Sequence, residues 1–483
     1  MRRFAVAVIC AVAAIPASAE DFGALVELQL AGRSAALFGI DGPLAASAGA
    51  DPIRRAPEQS AADQLLAARS LVPAYVTRAA ADRSDEMVPF PPDAPTHLVG
   101  CIDAGTAGDG FAPAGAPATA SLERIALADG KVETILSGLE HCGVARATAW
   151  GTLLVGERGI AGDGAAWEIL DPLALTGAAV LDRESGRVSD PAGVARRPAL
   201  PVIAWAGAAL LDSGVLYAGD DATPGEIGVD RDGGTIYKFV PAQAHPGGRI
   251  AGLDRSPLVA GRSYALQVSC FADRIQFGQG CGLGNAGWIE VDPASARFDA
   301  DGLGATAWYR PSDMDVDPLF EGPGARICWA NSGRADAGAY GEVLCAVDRS
   351  PRIAGDEASA FTVRVSRLLA GDDDFNSPDD VAFQPGTGIL YVAEGRGNGD
   401  VFACLPDGAD RDLASDGCIK LLSLRDASAK PAGIVFSPDG LTLYLSVGHS
   451  EDGAMAGAGG PASDDVLAVT GLAPPGAPAA GRP

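Results

Sequence analysis

The chain has 483 residues and carries 62 acidic against 36 basic side chains, a formal net charge of −26. That excess repels nucleic acid and anionic lipid and so excludes both as partners; it repels free phosphate too, so phosphate chemistry here would require cations at the site. The length exceeds that of a usual compact domain, yet no internal Pro/Gly/Ser linker divides it.

The N-terminus reads as an export signal. Arg2 and Arg3 open it, residues 4–15 form an apolar run too short to span a bilayer, and Ala17-Ser18-Ala19 supplies the small residues of a cleavage point. The expectation is a signal peptide at 1–19 and a mature protein in the periplasm or outside the cell. Residues 20–470 then form the body. Within it, the Ala-, Leu- and Gln-rich stretch 57–82 predicts a short helical insertion that Pro73 kinks or ends.

Cleavage removes Cys10 and leaves eight cysteines in close couples: Cys101 with Cys142, Cys270 with Cys281, Cys328 with Cys345, and Cys404 with Cys418. In an oxidising compartment, nearest-neighbour disulfides are the simplest of many connectivities, with buried thiols as the alternative for some couples. No C-x-x-C pair points to metal or redox work.

From there on, Gly and Pro punctuate short β-type runs at frequent intervals, which predicts an all-β closed array. An internal repeat sharpens this. Arg310-Pro311-Ser312 leads through Val316 and Pro318 to the run at Ile327-Cys328-Trp329. Ser377-Pro378-Asp379-Asp380 leads through Pro385 to Leu390-Tyr391-Val392, and Lys430-Pro431-Ala432 through Pro438-Asp439-Gly440 to Leu443-Tyr444-Leu445. Each unit is a hairpin unable to bury both faces alone, so stacked copies must supply each other's core. Strands ending in Asp-Pro recur at Asp171-Pro172 and Asp292-Pro293. A six-bladed β-propeller is the fold this length suggests. The Pro/Ala/Gly-rich residues 471–483 read as a disordered tail.

Several motifs dissolve in context. Gly282-Leu283-Gly284-Asn285-Ala286-Gly287 fits G-x-G-x-x-G but opens a strand at Trp288–Val291, where dinucleotide binding needs a helix. Gly448-His449-Ser450-Glu451 lacks the second glycine of a nucleophile elbow, since Asp452 stands there. His97, His141, His245 and His449 are scattered, which speaks against a histidine metal centre. What remains are acidic loops: Asp220-Asp221, Asp230 to Asp232, and the run Asp372 to Asp380 with Asn376 and Asp379. Their oxygens suit Ca²⁺ at the mouth of a channel; equally, Asp and Asn are ordinary turn residues.

Taken in order, the motifs resemble the PhoX-type alkaline phosphatases, secreted bacterial propellers. His141-Cys142-Gly143-Val144 through Trp150-Gly151-Thr152 to Gly156-Glu157-Arg158 resembles the family stretch ending in W-G-T-W-x-T-C-E-E. Tyr217-Ala218-Gly219-Asp220-Asp221 is similar to its Y-x-G-D-D, and Gly234 to Val240 to its G-x-x-Y-K-F-V. Arg310-Pro311-Ser312 sits at R-P-E, Asn331-Ser332-Gly333-Arg334 at N-S-x-R, Asn376 to Asp379 at N-S-P-D, and Phe436 to Gly440 at F-[ST]-P-D-G. The resemblance implies a six-bladed propeller whose central iron and calcium ions hydrolyse phosphomonoesters. It also implies that Arg310 contacts phosphate.

The departures fall on the ligand shell. The iron-binding cysteine of the family is Gly156 here, its second glutamate is Arg158, the R-P-E acid is Ser312, and no carboxylate lies between Asp190 and Asp212, where the family carries a His-Glu pair. The expectation is thus a PhoX-like hydrolase with reduced or altered activity that has not retained the iron cluster. In it Glu157 and Arg310 are catalytic, and Glu157, Asp220, Asp221, Asn376 and Asp379 hold Ca²⁺. Its ligand would be a small phosphorylated or other anionic molecule, bound by a monomer. The alternatives are a non-catalytic, calcium-stabilised propeller that binds a ligand or protein, and, on fold analogy alone, a lactonase-type enzyme.

Overall fold

A computed structural model describes residues 22–49, 55–104, 119–159, 162–225, 232–268, 282–353, 363–395, 399–406, 417–448 and 463–472. Residues 1–19, expected to be a signal peptide, lie outside these residues, as do Cys270, Cys281, His449 and the tail beyond Leu472. Within them the chain is almost wholly β, and no helix is long and apolar enough to cross a membrane.

Six strands line the axis: Ser84–Phe90, Cys142–Ala147, Trp205–Leu210, Pro311–Val316, Pro378–Phe383 and Lys430–Phe436. Each touches the next in chain order, and the last returns to the first. From each, antiparallel hairpins run outward, because Val, Ile, Leu and Tyr alternate between turns built on Gly and Pro. The recurrent Asp-Pro ends are explained locally: the Asp carboxylate folds back to accept the backbone N–H two residues on. Asp171 does so from Leu173 at 3.0 Å, Asp292 from Ala294 at 2.9 Å, and Asp317 from Leu319 at 2.9 Å. Six apolar clusters fill the spaces between successive hairpin stacks. One holds Trp150 and Trp205; another holds Trp288, Trp308 and Trp329.

The all-β, propeller-like architecture expected from the repeats is present. Hydrogen bonding nevertheless joins the strands into five sheets, of five, six, four, nine and four strands. The nine-stranded sheet arises because the outer strands Gly284–Val291 and Val363–Ala370 pair, which fuses the stacks begun by Trp205–Leu210 and Pro311–Val316. The glycine-rich motif at 282–287 thus enters a strand, and no helix follows it to cradle a pyrophosphate.

The ring closes on its own ends. Val72–Ala81 pairs antiparallel with Ser463–Thr470, so strands about 390 residues apart share one sheet. This overturns the helix expected over 57–82. Only Ala61–Gln64 is helical there; Leu65–Ala67 and Val72–Ala81 are strands, and the longer helix lies earlier, at Phe22–Gly32. Pro73 is tolerated because Val72–Ala81 is an outer edge strand, and ring closure overrides the helical propensity of its alanines. Buried Asp465 seals the joint. It accepts from Arg55 Nη2 at 2.6 Å and Arg78 Nε at 3.1 Å, and from the Gln64 amide.

Three disulfides form as the close couples suggested: Cys101–Cys142, Cys328–Cys345 and Cys404–Cys418. The last two join directly paired residues of neighbouring strands. Cys101–Cys142 instead ties one sheet to the axial strand of the next.

Candidate functional site at the mouth of the ring

In an antiparallel hairpin, the start of the first strand and the end of the second lie at the same edge. Residues at those positions therefore collect at one mouth of the axis. Asp85, Asp379 and Lys430 stand at the starts of axial strands, His141 and Arg310 just before them, and Arg158, Asp221 and Ser332 just after second strands. The backbone is bent to serve this mouth. Among the described residues, the four non-glycine residues with left-handed φ, Arg83, His141, Arg310 and Ser377, each immediately precede an axial strand. Such conformations cost about 1–3 kcal/mol each and persist only where surrounding structure imposes them.

The side chains form a circuit of alternating charge. Arg158 lies 3.2 Å from Asp85 and 3.8 Å from Asp221. Asp221 accepts from Arg310 Nε at 2.9 Å. Arg310 and Asp379 attract one another through space, and Asp379 also accepts from Lys430 at 2.9 Å and from the Ser332 hydroxyl at 3.2 Å. Lys430 then lies 3.5 Å from Asp85, closing the loop. Beside it, Asp103 faces Arg158 at 3.6 Å and pairs with His141 Nδ1 at 2.8 Å. Burial opposes ionisation of Asp379, yet Lys430, Arg310 and Arg158 bring its pKa below the ordinary carboxylate value.

One level deeper the balance changes. Glu86, Asp313 and Asp380 each offer a carboxylate oxygen within 4.8 Å of the others, all buried. Arg146 is paired with two of them, donating to Glu86 at 2.5 Å and also to Asp313, while Lys430 attracts Asp380 through space. Burial first, then the neighbouring Asp313, pushes Glu86 up to about 8; burial likewise pushes Asp313 up to about 7. Asp380 is raised well above its ordinary value by burial and by Glu86.

Of the residues singled out from the sequence, Arg310, Asp221 and Asp379 meet at the mouth. The others have their own partners. Glu157 is fully buried against Arg183 at 2.9 Å and the Glu140 N–H at 2.9 Å. Asp220, its carboxyl raised by burial, is gripped by Arg297 at 2.8 Å and by the Ala204 N–H at 2.9 Å. Asn376 donates its backbone N–H to Glu394 at 2.8 Å. Glu157 and Asp220 are the last residues of their strands and face away from the following Arg158 and Asp221. Asp85, Asp103, His141 and Lys430 were not singled out for the mouth, nor Glu86, Arg146, Asp313 and Asp380 for the level below. Lys430 was within reach, since Lys430-Pro431 and Arg310-Pro311 occupy the same place in the repeat.

An iron centre held by a thiolate does not fit these residues. A Cβ on Gly156 would stand 2.7 Å from the Cβ of buried Trp205, and the six described cysteines are all in disulfides. Arg158 occupies the space among three carboxylates that a cation would need.

A family model described as alkaline phosphatase PhoX matches residues 211–451. Among solved structures, the chain is similar to PhoX from Pseudomonas fluorescens in complex with vanadate, a transition state analogue. Identity is 17% and the TM-score 0.56, over 88% of this chain and 98% of that one. Weaker likenesses are to a gluconolactonase from Xanthomonas campestris (13% identity, TM-score 0.39, 90% of this chain and 99% of that one) and to the calcium-binding protein regucalcin from Agrobacterium tumefaciens (11%, 0.38, 83% and 94%). No curated protein matches the chain by sequence.

Proposed function

As this chain belongs to the PhoX-type alkaline phosphatase family, we propose that it is an exported, monomeric six-bladed propeller in which the phosphomonoesterase chemistry is reduced and an anionic ligand is held at the mouth by Arg310. The blade count takes the nine-stranded sheet as two blades joined at their outer strands, in keeping with six axial strands and six interstack cores. The signal-like N-terminus and the three disulfides favour the periplasm or the cell exterior.

The observation that carries the reading is the place of Arg158. Hydrolysing a phosphomonoester calls for an activated oxygen nucleophile and for positive charge around the transferred group. Arginines supply the second requirement and cannot generate the nucleophile. Calcium on Glu157, Asp220, Asp221, Asn376 and Asp379 is the competing reading. Each of those carboxylates already faces Arg183, Arg297, Arg310 or Lys430, and an entering ion would have to displace that partner. Arg310 is the most exposed cation of the mouth, at 32%, which leaves it accessible to a small phosphorylated molecule.

The test is calorimetric titration of the mature protein with inorganic phosphate and a simple phosphomonoester, alongside turnover assays with and without Ca²⁺ and an Arg310→Ala variant. The expected result is phosphate binding that Arg310→Ala abolishes, with turnover that calcium does not stimulate. Calcium-dependent turnover lost in Arg310→Ala would restore the metal-dependent hydrolase; no binding at all would remove the ligand from the proposal.

A further inference from the structure

We infer that Arg158, Arg310 and Lys430 are the permanent counter-cations of the mouth: a ring of alternating fixed charges, one from each blade, takes the place of bound metal ions and makes the closed propeller independent of them. In chain order the ring reads Asp85, Arg158, Asp221, Arg310, Asp379, Lys430, each charge opposite in sign to both neighbours. Two residues come from the axial strands' second positions, one from a first position, one from just before such a strand, and two from just after second strands.

The arrangement has three consequences that a scatter of surface ion pairs would not have. It is neutral by itself, three carboxylates against three cations. The acids are nearly out of water, with Asp85 1% and Asp221 11% exposed, so each of them needs a counter-charge on the spot. And its contacts run from blade to blade, where neighbouring axial strands share no backbone hydrogen bonds. The side-chain circuit is therefore a second closure of the ring, distinct from the strand pairing of Val72–Ala81 with Ser463–Thr470.

It follows that the cation requirement is a property of the carboxylates rather than of the fold. Removing Arg158 and Lys430 takes two of the three ring cations away from Asp85, Asp221 and Asp379, and takes Arg158 away from Asp103, which keeps His141. Carboxylate oxygens grouped in this way suit a hard divalent ion.

The experiment reads metal content and unfolding rather than turnover, so its outcome is separable from that of the phosphate-binding proposal. Mature wild-type protein is examined by elemental analysis and by thermal unfolding with EDTA and with millimolar CaCl2. The expected result is no stoichiometric metal and a Tm unmoved by either addition. An Arg158→Gln/Lys430→Gln variant is then expected to melt at lower temperature with EDTA, to recover on adding CaCl2, and to bind Ca²⁺ in a titration where the wild type shows none. Stoichiometric metal in the wild type, or a Tm lowered by EDTA, overturns the inference. So does a folded double variant that gains no calcium response. Should the double variant fail to fold, Lys430→Gln alone carries the same test, and the wild-type measurements decide on their own.

Discussion

Two levels of the same axis, separated by single steps in sequence, solve the burial of carboxylates in opposite ways. At the mouth, Asp85 and Asp379 sit in a circuit with as many cations as acids, and Asp379 is held ionised. Directly below, their sequence neighbours Glu86 and Asp380 group with Asp313; Arg146 pairs with Glu86 and Asp313, Lys430 only partly offsets the charge on Asp380, and all three acids are pushed upward. Burial is common to both levels. What differs is the supply of positive charge: the upper acids are matched by as many cations, while the lower ones are drawn towards the protonated form.

The largest effect that separates the levels should come from Arg146→Ala. It strips the cation paired with Glu86 and Asp313 and leaves buried acids facing one another; a loss of about 3 kcal/mol or more is expected in denaturant unfolding near neutral pH. Recovery of that loss when the unfolding is repeated near pH 5, below the raised pKa values of Glu86 and Asp313, would mark the deficit as electrostatic rather than as lost packing.

Next in size is the pH dependence. Glu86 and Asp313 have folded pKa values raised above their ordinary ones, so the unfolded chain releases their protons first. Stability therefore falls as pH rises from the ordinary carboxylate range towards about 7 and 8, by about 1.4 kcal/mol per unit for each proton. Asp379 is shifted the other way: its contribution is present above the ordinary carboxylate pKa and disappears as the acid range is entered. Glu86→Gln should flatten the alkaline limb and leave the acid limb in place. A variant that moves both limbs equally would show that the two levels titrate as one.

The smallest effect belongs to charge pairs at the rim of the blades. Arg262 and Glu290 lie 3.4 Å apart, 70% and 53% exposed. Arg262→Gln should alter stability by no more than about 0.5 kcal/mol. A loss comparable with that of Arg146→Ala would deny that burial and charge supply set the scale.

Much of the ring was legible in the sequence because its cause is local. Pro and Asp at hairpin ends, alternating apolar residues and close cysteine couples each act over a few residues, and the all-β array and three disulfides follow from them. Arg310, Asp221 and Asp379 were found because they sit inside repeated or motif-like stretches. Asp85 and Arg146 carry no such mark. They matter because six strands bring them to an axis, and the spacing between Asp85 and Lys430 in sequence says nothing of the 3.5 Å between them in space. The alanines and Pro73 of 57–82 misled for the complementary reason, since helix propensity is local and the demand for an edge strand is not. The fusion into nine strands depends on pairing between Gly284–Val291 and Val363–Ala370, again a long-range contact.

The seam between Val72–Ala81 and Ser463–Thr470 also governs how the protein is made. A nascent chain emerging in order has every axial strand before it has the partner for Val72–Ala81, so both flanking edges stay open until nearly the last residues are delivered. Contacts of such sequence separation form late and slowly. Until Asp465 arrives beneath Arg55 and Arg78, the assembly is an unsealed crescent exposed to proteases and to strand exchange with other copies.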